Sequence, residues 1–189
     1  MDEAPWEILE RRTLADDPVE IVHERLRTHT GALLDYYYQP RRIRVVFALP
    51  VTEHRTALLI RQYRHPTRRR LIEVPAGKVD PEESLEAAVR RELREELGAE
   101  VGELVRFPAF YPQPSFNAAV FYPFLALEAR VTAEPELEGG ELIEPFELPL
   151  EEAYRLLDEG RIEDASTALT LFYARPWLAA RGWVRAPGP

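Results

Sequence analysis

The chain has 189 residues, of which 46% are hydrophobic, so it can bury a core of single-domain size. It contains no cysteine, which excludes a disulfide framework and thiolate catalysis. Its net charge of −9 argues against nucleic acid as a partner, because nucleic acid selects basic surfaces. No apolar run reaches membrane length and no secretory segment is recognisable, so we expect a cytoplasmic protein without a membrane partner.

The amino-terminal region predicts a small β extension (residues 1–39) ahead of a main domain (residues 40–189). Val19–Arg27 and Leu33–Gln39 carry β-branched and aromatic residues in alternation, which indicates two strands. A polar turn at Thr28–Gly31 joins them.

The main domain begins with strands. Ile43–Leu49 is apolar with little alternation, which is typical of a strand that is covered on both faces. Thr56–Gln62 follows the polar turn Thr52–Arg55, so these two strands are predicted to form a hairpin. A further extended segment, Leu71–Gly77, leads directly into the next element.

That next element is a helix with clear end signals. Gly98 supplies the stop, and the start is either Ser84 or Asp80 followed by Pro81. Successive positions at 100° steps place apolar residues and carboxylates on one face, and place other charged residues toward water. The first group comprises Leu85, Ala88, Val89, Glu92, Glu95 and Glu96, and the second comprises Glu86, Arg90 and Arg94.

The three inward-facing carboxylates are compatible with a metal site, and a solvated helix of glutamates and arginines is the alternative. Buried acids at positions i, i+3 and i+4 repel one another unless a cation lies among them. Glu92, Glu95 and Glu96 offer hard oxygen atoms without a neighbouring cysteine or histidine, a donor set that suits Mg²⁺ or Mn²⁺ better than zinc.

Two more strands, Glu103–Tyr111 and Ala118–Ala129, are expected after the helix. Pro135–Pro145 is an acidic segment with two central glycines, and its composition fits a mobile lid between strands. Glu151–Glu159 and Asp164–Arg181 then predict two helices. The apolar residues of the second helix, Leu169, Phe172 and Leu178, are expected to pack against the sheet, which gives a mixed α/β fold.

One set of residues around the carboxylate helix forms a recognisable signature. It runs from Gly77 through Glu83 to Arg91-Glu92-Leu93, Glu95-Glu96 and Gly98, and it departs from the pattern at Ala99. This spacing resembles the Nudix box of the Nudix hydrolases. The resemblance implies an α/β/α sandwich with a mixed sheet.

The resemblance also implies ligands for the metal. The carbonyl of Ala76, the residue before the box glycine, would join Glu92, Glu95 and Glu96 as a metal ligand. Glu83 and Arg91 would form an internal ion pair that holds the loop on the helix.

The segments RQYRHP (61–66) and LIEVPAGK (71–78) are similar to the ADP-ribose pyrophosphatase branch of the family. In that branch, Arg64 would hold a substrate phosphate and Glu73 would bond the base or ribose end. From the residues alone, a surface arginine and a strand glutamate paired with a neighbouring arginine remain alternatives.

The same branch implies roles for two loops. Pro114 and Phe116 match a substrate-binding turn, although Ser115 stands where that turn has glycine and alanines 118–119 stand where it has an acid. A glutamate of the later acidic loop would activate the attacking water, and Glu141 fits best, with Glu138 and Glu144 as rivals. Residues 1–39 also resemble the amino-terminal sheet that proteins of this branch exchange across a two-fold axis. This resemblance implies a homodimer.

The resulting hypothesis is a Mg²⁺-dependent hydrolase that cleaves the pyrophosphate bond of a nucleoside diphosphate linked to a group X. ADP-ribose is the leading substrate. FAD, another nucleotide sugar and NADH are alternatives, because loop 112–119 departs from the pattern. A Nudix-fold module that binds a nucleotide without cleaving it, and a plain Mg²⁺-binding domain, are hypotheses of different classes.

Overall fold

The computed structural model describes residues 5–137 and 139–186, which form two compact units. Among these residues, the first unit comprises 5–43 and 111–120, and the second comprises the rest. The proposed division into residues 1–39 and 40–189 stays a prediction.

The first unit contains an antiparallel sheet of order β1-β2-β3, made of β1 (Glu7–Ala15), β2 (Ile21–Arg27) and β3 (Leu33–Tyr38). We expected β2 and β3 from the alternation, but β1 has no comparable signal because its residues are nearly all exposed. Cross-strand ion pairs add to its pairing with β2, including Arg27 Nη1 to Glu7 Oε2 at 2.5 Å.

The loop at 111–117 belongs to this first unit. The Tyr36 hydroxyl donates to the Ser115 carbonyl at 2.7 Å, and the Gln39 N–H donates to the Phe116 carbonyl at 2.8 Å. The loop is therefore fixed beside β3 by its backbone.

The second unit holds the remaining strands. In chain order these are β4 (Arg44–Val51), β5 (Thr56–Arg64), β6 (Arg69–Glu73), β7 (Ala76–Lys78), β8 (Ala99–Glu100), β9 (Leu104–Arg106), β10 (Val120–Leu127), β11 (Arg130–Val131) and β12 (Ile143–Pro149). β8 pairs with β11, and the others form a mixed sheet of order β12-β5-β4-β10-β9 with β6 on β5 and β7 on β4. β12 takes up the end of the predicted acidic loop, because Ile143 already pairs with Gln62 of β5.

The predicted hairpin of β4 and β5 is present, with Val51 opposite Ala57. Away from the turn the two strands are paired to other partners: β6 pairs with β5, and β7 pairs with β4 from Val45 to Phe47. The chain between β6 and β7 therefore crosses the middle of the sheet, where the Ala48 N–H donates to the Pro75 carbonyl.

The carboxylate-bearing helix is α1 (Leu85–Leu97). Ser84 is its N-cap, with Oγ accepting from the Ala87 N–H at 3.1 Å, which decides between the two predicted starts. Gly98 ends it in the left-handed conformation at φ 62°, as expected for a helix stop.

Two further helices, α2 (Leu150–Asp158) and α3 (Ala165–Ala179), complete the described fold. Successive side chains of β4 point to opposite faces of the sheet. Val46 and Ala48 belong to the hydrophobic cluster that includes α1, whereas Phe47 and Leu49 belong to the cluster that includes α2 and α3. The result is the predicted α/β/α sandwich. None of the described helices is long and apolar enough to cross a membrane.

Two expectations about side-chain direction were wrong. Phe172 is 64% exposed, because the buried face of α3 is formed by smaller residues such as Thr167, Thr170 and Leu171. Arg90 does not point freely to water, since its guanidinium donates to the carbonyls of Val101 and Gly102.

Candidate active site

The second unit contains a cavity of about 880 Å³ next to the carboxylates of α1. Its other walls come from the β6–β7 segment, the loop before β12 and the start of α3. A cavity of this size accommodates a substrate-sized small molecule.

Glu96 is the most deeply buried carboxylate of the site, with 2% of the residue exposed. Its Oε2 accepts a hydrogen bond from the Ala76 N–H at 3.1 Å, which ties α1 to the start of β7. Burial, together with the charge of Glu92, raises the pKa of Glu96 to about 8. A cation beside this carboxyl group would favour its ionised form and lower its pKa.

Glu92 lies directly over the box glycine. A Cβ on Gly77 would lie 1.7 Å from Oε1 of Glu92, so any larger residue displaces the carboxylate. Burial also raises the pKa of Glu92, although its bond to Arg91 opposes that shift. The glycine is therefore required by a close approach of side chain and backbone.

We expect Gly77→Ala to lower hydrolysis at least tenfold and to change the melting temperature by only a few degrees. The added methyl group must push the end of the Glu92 side chain aside, and that end can rotate without disturbing the core. Steady-state kinetics and thermal denaturation of the same preparation test this. A variant with wild-type rates would show that the position of Glu92 is immaterial.

Arg91 connects the box loop to the helix, as the resemblance implied. Its Nε and Nη2 atoms each lie 3.0 Å from a Glu83 oxygen, and Nη2 also donates to the Lys78 carbonyl at 2.8 Å. Nη1 donates to Glu92 at 2.7 Å and to Glu95 at 2.9 Å. The bond to Arg91 lowers the pKa of Glu83, so this pair is ionised at neutral pH.

The oxygen donors of these residues are of the kind that binds a divalent cation, although their side chains do not surround a common point. No group of three His, Cys, Asp or Glu residues in 5–137 and 139–186 has the geometry of a metal site. Arg91 partly neutralises Glu92 and Glu95, which are within its hydrogen-bonding reach. The predicted metal site therefore stays a prediction. It consists of Ala76, Glu92, Glu95 and Glu96, and two observations support it: one of its acids is buried, and all of its donor atoms are oxygen.

The two predicted substrate contacts of the β5–β6 region are bonded to each other. Arg64 Nε lies 2.9 Å from Glu73 Oε1, and Nη2 lies 2.6 Å from Oε2. Glu73 is 2% exposed, whereas 42% of the Arg64 side chain remains accessible, and both line the cavity. Because the pair uses Nε and Nη2, the Nη1 atom of Arg64 is available to donate to a ligand.

Two of the three candidate bases have different surroundings in the structure. Glu141 lines the cavity, and its charge contributes to raising the pKa of both Glu92 and Glu96. Glu144 lies on β12, where it is paired with Arg61 and Arg70. Glu138 lies outside the described residues.

The remaining predicted substrate residues, Pro114 and Phe116, belong to the first unit, where Phe116 is 40% exposed. Conversely, the cavity wall includes residues that the sequence did not single out, among them Glu136, Asp164 and Ser166. The sequence named Asp164 only as the first residue of a predicted helix, and in the structure it caps α3, because its Oδ2 accepts from the Thr167 N–H at 2.7 Å. Nothing local indicates that this helix start faces the carboxylates.

Comparison with known proteins identifies relatives of this chain. The model of the NUDIX domain matches residues 41–170. An ADP-ribose pyrophosphatase of Bacillus subtilis is 36% identical over 129 residues, which are 68% of this chain and 70% of that protein. A GDP-mannose pyrophosphatase of Yersinia pestis is 35% identical over 133 residues, 64% of each chain.

A solved structure shows the same fold. The crystal structure of an ADP compounds hydrolase superposes with a TM-score of 0.85 at 24% identity, covering 96% of this chain and 98% of that one.

Proposed function

The chain belongs to the Nudix family, and we propose that it hydrolyses ADP-ribose to AMP and ribose 5-phosphate. The observation that carries this proposal is the position of Glu96. It is a buried carboxylate in a substrate-sized cavity, held by the Ala76 N–H and flanked by the carboxylate of Glu92. A surface helix of mixed charge would leave both acids in water.

The choice of ADP-ribose rests on likeness and on the arginine of the β5–β6 region. The relative from Bacillus subtilis is described as an ADP-ribose pyrophosphatase. Arg64 reaches the cavity from a fixed position, because Glu73 holds it through two hydrogen bonds. A preoriented guanidinium is suited to a phosphoryl oxygen.

The predicted site residues have separate roles in the proposed reaction. Glu92, Glu95, Glu96 and the Ala76 carbonyl would hold Mg²⁺, or Mn²⁺ in its place. When bound, the ion supplies charge neutralisation at the diphosphate. Arg64 orients a phosphoryl group, and Glu141 takes a proton from the attacking water. The water oxygen forms a bond to one phosphorus, the bridging P–O bond breaks, and the bridging oxygen leaves with the other phosphate.

Two substrate alternatives have specific support. The GDP-mannose pyrophosphatase relatives favour another nucleotide sugar, at nearly the same identity. Ser115 and the alanines at 118–119 favour a bulkier partner such as FAD, because they stand in a loop that departs from the ADP-ribose pattern. A non-catalytic nucleotide-binding module remains the alternative of a different class.

One assay separates these functions. The protein is incubated with Mg²⁺ and, separately, ADP-ribose, GDP-mannose, FAD or NADH, and nucleoside monophosphate is measured. We expect AMP from ADP-ribose at the highest kcat/KM. Nucleotide binding without any product would favour the binding module.

We also propose that the protein is a cytoplasmic homodimer that pairs through the first unit. The three-stranded sheet exposes large apolar side chains that a monomer would leave in water, including Ile8 (56%), Leu14 (55%) and Leu33 (55%). A cytoplasmic location fits a highly charged nucleotide substrate, which does not cross a membrane unaided.

Charged substitutions on that sheet test the dimer. We expect Ile8→Asp combined with Leu33→Asp to convert a dimer of about twice 21.8 kDa into a monomer, because buried charge opposes association. Light scattering after size exclusion measures the mass, and Val131→Asp, at an exposed apolar residue of the second unit, is the control. A wild-type chain that is already monomeric would contradict the proposal.

A further inference from the structure

The cavity has a second polar end that the proposed metal site does not use. It lies at the start of α3, where Asp164 and Ser166 both line the wall. We propose, on the basis of the proposed function, that this end binds adjacent hydroxyl groups of the sugar in group X. Asp164 and Ser166 would then determine specificity for a sugar phosphate over other leaving groups.

Ser166 is the first observation behind this inference. The residue is 6% exposed and yet lines the cavity, so the small surface it retains faces the ligand space. Among the described residues its hydroxyl has no hydrogen-bond partner, whereas its carbonyl accepts from Thr170 within the helix. Because Arg175 Nε is the one fully buried side-chain polar atom without a partner among the described residues, the Ser166 hydroxyl keeps access to the cavity, where a ligand hydroxyl can bond it.

Asp164 supplies a complementary acceptor. One oxygen, Oδ2, caps α3 by accepting from the Thr167 N–H at 2.7 Å. The capping bond fixes the carboxylate in position and leaves Oδ1 to accept from a ligand. A carboxylate oxygen beside a serine hydroxyl can accept from one sugar hydroxyl and bond the next.

Charge argues for a neutral sugar and against a second phosphate at this end. Asp164 and Glu73 both place negative charge there, and Arg64 is already bonded to Glu73. The hydrogen bond to Glu73 raises the pKa of Arg64, and the charges of Asp164 and Glu96 raise it further. Asp164 and Glu96 are therefore within electrostatic range of the guanidinium. Arg64 can therefore hold the phosphate of X between the metal end and the α3 end, with the sugar directed toward Asp164.

Ser166→Ala tests the proposal with little risk to the fold, since alanine is smaller and favours helix. Calorimetry measures the binding of ribose 5-phosphate and of inorganic phosphate to the Mg²⁺-loaded protein. We expect the variant to bind ribose 5-phosphate about five- to tenfold more weakly and inorganic phosphate unchanged, as for the loss of one hydrogen bond. Asp164→Ser keeps a capping oxygen but removes the second one, and should lose at least as much.

Thr170→Val is the matched control, because it removes a hydroxyl from the same helix that bonds the Ser166 carbonyl and does not line the cavity. Its preference for ribose 5-phosphate over phosphate should equal that of wild type. Equal losses for both probes in Ser166→Ala, or no loss for either, would overturn the sugar subsite. Wild-type binding of ribose 5-phosphate no tighter than phosphate would do the same.

These outcomes are independent of the hydrolase assay. If no nucleotide is cleaved but Ser166→Ala still weakens ribose 5-phosphate selectively, the subsite stands and the proposed reaction fails. If ADP-ribose is cleaved and Ser166→Ala leaves binding of both probes unchanged, the reaction stands and the subsite fails.

Discussion

Glu96→Gln is expected to abolish hydrolysis of ADP-ribose, with a loss of about a thousandfold or more in kcat. Glutamine has the same shape, so it can keep the 3.1 Å bond from the Ala76 N–H through its carbonyl oxygen. It cannot supply the negative charge that binds a divalent cation. The measurement is AMP release over a range of Mg²⁺ concentrations, including concentrations high enough to compensate a weakened site.

The same substitution should stabilise the protein in EDTA at alkaline pH. Because the pKa of Glu96 is raised from 4.5 to about 8, the folded chain binds more protons than the unfolded chain between these values. Its stability therefore falls as pH rises from about 4.5 to about 8 and then levels off. Removing this ionisation should flatten the decline in Glu96→Gln, which thermal denaturation at pH 5 and pH 8 measures.

Glu86→Gln provides the control on the same helix, since Glu86 is exposed in the first turn of α1. It should retain wild-type kinetics and the wild-type dependence of stability on pH. Mg²⁺ should raise the melting temperature of wild type more than that of Glu96→Gln, because bound ligand stabilises the folded state. Wild-type turnover in Glu96→Gln would refute the assignment of this carboxylate to the metal.

The sequence was sufficient to predict the parts of the site that are governed by local rules. Ser84 and Gly98 define α1 because capping and left-handed backbone are properties of single residues. The 3.6-residue period then places Glu92 and Glu96 on the buried side. The pair of Glu83 and Arg91 was expected from the resemblance, and its atoms meet across one loop.

Features that depend on distant parts of the chain were not predictable in the same way. β1 is a strand because it pairs with β2 and not because of its own pattern. The pairing of Glu73 with an arginine was one of two alternatives for this residue, and the sheet produces it by placing Glu73 opposite Ile60 on a neighbouring strand, within reach of Arg64. Contact of Glu73 with substrate stays a prediction. The contribution of α3 to the cavity depends on packing of two buried threonines, one of which accepts from the Val74 N–H.

The identity of the general base illustrates the same division. Composition indicates an acidic loop, and the family resemblance favours Glu141 in it, with Glu138 and Glu144 as rivals. The described ends of the loop are fixed, since the Glu136 N–H donates to the Glu95 carbonyl at 2.8 Å and the Tyr63 N–H donates to the Leu142 carbonyl at 3.1 Å. Glycines 139–140 lie between these anchors, and Glu141 lines the cavity together with the carboxylates of α1.

Glu141→Gln should therefore lower kcat by about a hundredfold to ten-thousandfold, the range for loss of a general base, with a smaller change in KM. A loss that falls mainly on kcat indicates a defect in proton transfer, whereas a defect in substrate positioning would also raise KM. Glu144→Gln, on β12 and paired with Arg61 and Arg70, is the matched control and should retain most of the wild-type rate. A larger fall in rate for the glutamine variant of Glu144 or Glu138 would remove Glu141 from the proton-transfer step. Equal, mild falls in rate at all three positions would do the same, because no other acid should be able to replace the general base.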